Sequence, residues 1–368
     1  DQGYLLKYSE TGAIIWQLEI GGDGTETAEG VAVGADGTIY VTGTYDETCR
    51  FYSSNGAVSA TSLALAGGTD IYLAAYNPAG TFLWAVRMAG AGEQSVPLIA
   101  VDASGITVLG ETVNQMTVTG TNAVSNSTNT LLSNGDRHPF LARFSLSGGL
   151  TWTLEGYSPG NGDDHAGSIT CDGTHLYVST QAFGNSMNWI QGSILSFPFG
   201  TTTSGLANDA YITCFDLSGN FVWSTFVKDP TTDFHDYVRM AAGCDGLYIT
   251  AEAGAGTLFN NGTTYPATAT SDALFVAQLD KGTGGVNWVQ FGTTNNQSEF
   301  TGTDIAVGPR NEIQVAGRYK GTVTYQTHAM TANATQDAFL LTLKRNGDWV
   351  NMEGLDGSGI AECNAVAV

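Results

Sequence analysis

Two short stretches of this chain gather side chains that could do chemistry. The first, "YSPGNGDDHAG" (157–167), carries Asp163, Asp164 and His165, and the second, "KDPTTDFHDY" (228–237), carries Asp233, His235 and Asp236. If the two loops met, their oxygens could surround calcium, which takes six to eight oxygen ligands. A mixture of His and Asp would suit zinc or manganese instead. Neither loop has the D-x-D-x-D-G spacing of a calcium loop, and short acids also cap turns by accepting backbone N–H bonds. Tyr157, Trp189, Phe234 and Tyr237 accompany these acids. Aromatic faces bordered by amides and acids can hold sugars, although Phe197 and Phe199 alternate like residues that pack a strand. A hydrolase or lyase would need Asp163, Asp164 or Asp236 as acid or base with His165 or His235. The sequence has no G-x-S-x-G, H-E-x-x-H or phosphate loop, so no catalytic residue is assigned.

Charge narrows the partners. Of 368 residues, 35 are Asp or Glu and 13 are Lys or Arg, a formal net charge of −22. Such a surface repels nucleic acid and anionic membranes. No uncharged apolar run approaches the roughly 18 residues that a spanning helix requires. The 48 glycines and 13 % charged residues imply many turns and no long helices. Cys49, Cys171, Cys214, Cys244 and Cys363 make an odd set without a C-x-x-C, and read as unpaired buried thiols. The chain begins at Asp1 without a methionine or apolar leader, as expected of a processed protein or a module of a longer one.

The elements that must hold these loops follow from a repeat. "SETGAIIW", "NPAGTFLW", "SLSGGLTW", "DLSGNFVW", "DKGTGGVNW" and "KRNGDWVN" are copies of one phrase, with glycine at 12, 80, 148, 219, 284 and 347. Tryptophan follows four residues later as Trp16, Trp84, Trp152, Trp223 and Trp288, and in the sixth copy the tryptophan is Trp349. An aspartate opens the preceding strand at Asp70, Asp209, Asp272 and Asp337, with Gln2 and His138 in the remaining copies. Each unit also has a small apolar strand ("GVAV"), a tight turn and a second strand ("TIYVTG").

Four antiparallel strands per unit, repeated about six times, predict an all-β protein, a β-propeller of four-stranded blades. Six blades are expected, seven being the alternative, in a single domain with units near 1–29, 30–97, 98–166, 167–237, 238–303 and 304–363. An inner strand at 364–368 would start a closing blade split between the two ends of the chain. The tryptophans are expected as packing wedges. The long segments between second and third strands are expected as variable loops on a binding face. Glu26, Glu93, Asp163, Asp236, Glu299 and Glu362, one before each first strand, would line one mouth.

The pattern D-[AI]-[FY]-[LI]-x₅-G-x₃-W followed by "GVAVGADGTIYVTG" resembles the bacterial SBBP-type β-propeller repeat family, over essentially the whole chain. The resemblance implies a secreted or cell-surface protein of bacteria and brings no catalytic residues. The "YVST" and "YITA" of the third and fourth units depart from it. The "TGxxxW"-like phrase is also similar to that of pyrroloquinoline-quinone dehydrogenases, whose adjacent cysteines have no counterpart here. The function expected is a non-catalytic binding, adhesion or display module, with glycan or calcium as candidate ligand and no organic cofactor. Its partners would be other domains of the same chain or surface and assembly proteins. The alternative is a structural subunit whose open blade is completed by a partner strand.

Overall fold

The computed structural model describes residues 1–122, 128–131, 135–158, 162–182, 187–191, 193–196, 209–228, 237–264, 272–295, 298–310, 312–333, 335–355 and 357–367. All regular structure in them is β-strand, arranged in six antiparallel sheets. The fold class is the β-propeller, and the sheets are its blades. The chain forms two compact units, Asp1–Tyr157 with Asn161–Ala166 and Asn188–Ser196, and Ser158–Gly160 with Gly167–Met187 and Phe197–Val368.

The Trp84 sheet, in the first unit, shows the pattern. Gly30–Val33, Ile39–Tyr45, Asp70–Tyr76 and Phe82–Gly90 pair in the order of the repeat. Its third strand is buried along its whole length because neighbours cover both edges and both faces. The same order recurs in the Trp152, Trp288 and Trp349 sheets, and in the Trp223 sheet.

The long segments between second and third strands are not free loops, which corrects the sequence expectation. Cys49–Tyr52 with Val58–Leu63, Met116–Thr119 with Thr128–Leu131, Asn188–Gln191 with Ser193–Ser196, and Thr322–Tyr325 with His328–Thr331 are hairpins. Each is added to the tryptophan strand of the sheet before its own, and Leu258–Phe259 adds in the same way. The physical reason is the exposed row of N–H and C=O groups on a fourth strand, which the next unit covers. Trp189 is therefore buried with its backbone paired to Gly156, and packs the sheet instead of facing a ligand.

The turn phrase repeats because its glycine and the tryptophan of the preceding repeat meet. A Cβ built on Gly80 would lie 3.1 Å from Trp16, on Gly148 2.8 Å from Trp84, on Gly284 2.4 Å from Trp223 and on Gly347 2.8 Å from Trp288. Each indole thus lies on the glycine of the following phrase. Trp16 Nε1 donates to Pro78 O at 3.2 Å and Trp223 Nε1 to Lys281 O at 2.7 Å, both carbonyls of that next turn. The other indole face meets the tyrosine of the second strand, as in Tyr40–Trp84 at 6.1 Å and Tyr177–Trp223 at 5.9 Å.

The repeat aspartates tie strand ends together. Asp70 accepts N–H bonds from Ala66 at 2.7 Å and Gly90 at 3.1 Å, and Asp337 accepts from Asn333 and Gly357 at the same two distances. Gln2 replaces the aspartate in kind, because its Oε1 accepts the Gly22 N–H at 3.1 Å. His138 instead meets Glu155 Oε1 at 3.1 Å, a buried pair.

Two expectations need adjusting. The segment expected as a strand at 364–368 has no ladder over its described residues, 364–367. Cys363 N donates to Gly317 O, and Val366 N to the Asp304 carboxylate, so the bonds of this segment go to scattered acceptors. The cysteines are less uniform than expected. Cys49 and Cys214 are buried, their thiols pushed up by burial, the latter to about 12, whereas Cys244 is exposed.

The glycine contact makes a prediction. Gly12 (φ +79°) has nothing within 4 Å of a built Cβ, whereas Gly284 (φ +70°) has Trp223 at 2.4 Å. Gly12→Ala should cost about 1 kcal/mol through its left-handed backbone alone. Gly284→Ala should cost about 3 kcal/mol because the indole must also move. Urea unfolding of the two variants measures the difference.

Candidate functional site

The described acids and histidine of the first candidate loop are fasteners around a buried carboxylate that sequence reasoning missed. Glu111 lies on Gly105–Val113, the second strand of the Trp152 sheet, and is 2 % exposed. Arg137 opens the third strand of that sheet, paired with Val113. Arg137 Nη1 donates to Glu111 Oε2 at 3.2 Å and to Ser95 Oγ at 2.6 Å, and its Nη2 lies 3.5 Å from Glu93. Glu111 Oε1 accepts the Ala166 N–H at 2.9 Å and lies 3.4 Å from His165 Nδ1. The contact with Glu111 raises the His165 pKa above its ordinary value, against the opposing pull of burial.

Asp163 Oδ1 accepts the Arg137 N–H at 2.8 Å, and the Asp164 N–H donates to Arg137 O at 2.8 Å. These residues therefore pin the loop to the start of a strand. Asp233, Phe234, His235 and Asp236 lie outside the described residues. Among the described residues no three His, Cys, Asp or Glu side chains converge to hold a metal ion. Tyr157 is half-buried beside His138, with ring centroids 6.2 Å apart, and Tyr237 lies under the Arg239 guanidinium at 5.6 Å.

Of the acids expected at a mouth, three face basic side chains. Glu93 faces Arg137, Glu299 lies 3.4 Å from Lys320 and Glu362 lies 3.9 Å from Arg318. Glu26 is buried, and burial followed by the nearby Asp46 pushes its carboxyl up. A sequence signal for the Glu111 network did exist. The residue after the Thr-Gly position of the second strand is Thr44, Glu111, Gln181, Glu252 or Arg318, always polar inside an apolar strand.

A second feature stands apart from these networks. Gly3–Tyr8 is in sequence a third strand, yet it forms one edge of the Trp16 sheet. Leu5 packs inward against the cluster of Leu18, Ile20 and Phe51. On the other face Tyr4 is 57 % exposed, Leu6 39 % and Tyr8 55 %. The third strand Asp70–Tyr76 of the Trp84 sheet has no exposed residue. Gly3–Tyr8, by contrast, is an edge strand among the described residues with three exposed apolar or aromatic side chains on one face.

No protein-family model matches the chain. Over 143 residues it is 26 % identical to an uncharacterized WD repeat-containing protein of Acanthamoeba polyphaga mimivirus, a match covering 39 % of this chain and 10 % of that protein. Among solved structures it is similar to BamB from Moraxella catarrhalis, with a TM-score of 0.39, 11 % identity and coverage of 94 % and 89 % of the two chains. It is also similar to a europium-containing methanol dehydrogenase, with a TM-score of 0.44, 10 % identity and coverage of 97 % and 75 %. These likenesses carry no inference about activity or partner.

The Glu111–His165 contact has a pH signature. With the folded pKa raised above 6.5, its stabilisation is fully present below pH 6.5 and is lost as pH rises through the folded value. An NMR titration of His165 should give a midpoint above 6.5 that moves back toward 6.5 in Glu111→Gln. A wild-type midpoint at or below 6.5 would mean that the contact does not form in solution.

Proposed function

We propose that this chain is a non-catalytic interaction module that takes up β-strands of its own repeat type along the open edge of the Trp16 sheet. The observation that carries the proposal is the edge strand Gly3–Tyr8, whose Tyr4, Leu6 and Tyr8 are exposed on one face. In the other sheets the corresponding third strand has a second strand paired beside it. Among the described residues no strand is added to the Trp349 sheet, and its last strand Trp349–Leu355 is mostly exposed, with Leu355 at 50 %. Strand addition of this kind takes affinity from main-chain hydrogen bonds and specificity from the alternating side chains.

An extracellular or surface setting belongs to the same proposal, supported by the net charge of −22 and by the likeness of the repeat to secreted propeller proteins. Calcium and glycan binding are finer readings that would rest on the 228–237 loop together with Tyr157 and Tyr237. The described acids near Tyr157 already hold protein partners, which favours the strand-docking reading over them.

The test is a synthetic peptide with the sequence of residues 28–45, a first and second strand joined by their turn. It should slow amide hydrogen exchange at Gly3–Tyr8 by about tenfold or more as those amides enter a ladder. Leu6→Lys should abolish the effect while leaving the thermal midpoint nearly unchanged, since Leu6 is exposed. Unchanged exchange at saturating peptide, or slowing that survives Leu6→Lys, would overturn the proposal.

A further inference from the structure

The first compact unit buries an acid that no donor satisfies. Glu26 is 2 % exposed, and neither of its carboxyl oxygens has a hydrogen-bond partner among the described residues. The Gly22 N–H beside it donates to Gln2 Oε1 at 3.1 Å. The Arg50 guanidinium, which feels the Glu26 charge, is taken by Asp23 through bonds of 3.0 and 2.9 Å.

Register shows that the fold does not itself ask for an acid here. Glu26 bridges Tyr45, and the matching positions of two other sheets hold Gln94, opposite Thr112, and Phe300, opposite Tyr319. Both are 0 % exposed, so a neutral side chain fills this place. The residue after the tyrosine is Lys320 in the Trp349 sheet, where it faces Glu299, and Asp46 in the Trp84 sheet. Two neighbouring positions are therefore acidic together, and burial followed by Asp46 pushes the Glu26 carboxyl up. A Cβ built on Gly22 would lie 1.9 Å from Thr48 O and 2.4 Å from Glu26 Oε1, so both oxygens border space left by the glycine. Asp46 Oδ1 accepts the N–H of Thr25, the residue before Glu26, at 2.6 Å, which leaves Oδ2 for a further partner.

We propose that Glu26, Asp46 and the Thr48 carbonyl bind one calcium ion. A buried carboxylate without a donor is costly, and a cation shared by two acids removes both that cost and their repulsion. Calcium accepts carboxylate, carbonyl and water oxygens in a flexible shell of about six to eight ligands, so two carboxylates and a carbonyl suffice with water completing the shell. Magnesium demands near-octahedral geometry and gives up its water reluctantly, which makes it the poorer fit. The site shares no residue with the acidic loops at 157–167 and 228–237.

The experiment adds calcium chloride to chelator-treated, ¹⁵N-labelled protein at neutral pH and follows backbone amides, with magnesium chloride as the control. The amides of Thr25, Glu26, Asp46 and Thr48 should shift in one saturable step, and the thermal midpoint should rise with calcium concentration. Glu26→Gln puts at this position the residue type of Gln94, so it should fold, and it should weaken the step by about tenfold or more because affinity follows ligand charge. Asp46→Asn should weaken it as well. Lowering the pH should weaken calcium binding by the wild type, since protons compete for the carboxylates. No shift at these amides, a step unaltered in Glu26→Gln, or equal shifts with magnesium would overturn the assignment. If Glu26 keeps a proton and no metal, wild type and Glu26→Gln will have the same thermal midpoint with and without calcium, which would overturn it too.

Discussion

An indole resting on a glycine of the next repeat organises this protein. Trp16, Trp84, Trp223 and Trp288 each lie where a side chain on Gly80, Gly148, Gly284 or Gly347 would have to be. The contact joins two requirements at one residue. The turn needs a left-handed backbone, which glycine adopts without strain, and the indole needs a flat surface free of Cβ. Since each turn supports the tryptophan before it and each tryptophan supports the turn after it, neither can vary alone. Fixed spacing between the two follows, and with it the regular succession of sheets.

The second constraint is the sheet edge. Every fourth strand presents unpaired backbone groups, and for five of the six sheets the next unit covers them with its own strand or hairpin. Length variation between repeats is therefore spent on the sheet itself. The pairing also makes neighbouring repeats interdependent, as in other repeat architectures where a unit cannot bury its faces alone. Among the described residues, Gly3–Tyr8 and Trp349–Leu355 are edge strands with exposed apolar side chains.

The strand order was legible because glycine, tryptophan and aspartate recur at fixed offsets, and only a four-stranded antiparallel unit satisfies the alternation between them. Gln2 shows how function survives a change of residue type, since an amide oxygen accepts the same kind of N–H bond as Asp70. The added hairpins were not legible. "MTVTG" and "TVTY" alternate like strands, but nothing local says which edge they will join, and pairing with the previous sheet is a tertiary choice. The Glu111 network escaped for a similar reason, because Glu111, Arg137 and His165 are far apart in sequence and only strand register brings them together. Asp163 and His165 were expected as metal ligands, and their partners in the structure are a backbone amide and a buried carboxylate.

The most direct measurement is a double-mutant cycle on Trp223 and Gly284, using urea unfolding of the wild type, Trp223→Leu, Gly284→Ala and the pair. If the indole–glycine contact governs the repeat, the cost of Gly284→Ala should fall by about 1 kcal/mol or more once Trp223 is leucine, since the added methyl then has room. Costs that add to within about 0.5 kcal/mol would show that the two residues are uncoupled and would contradict the account.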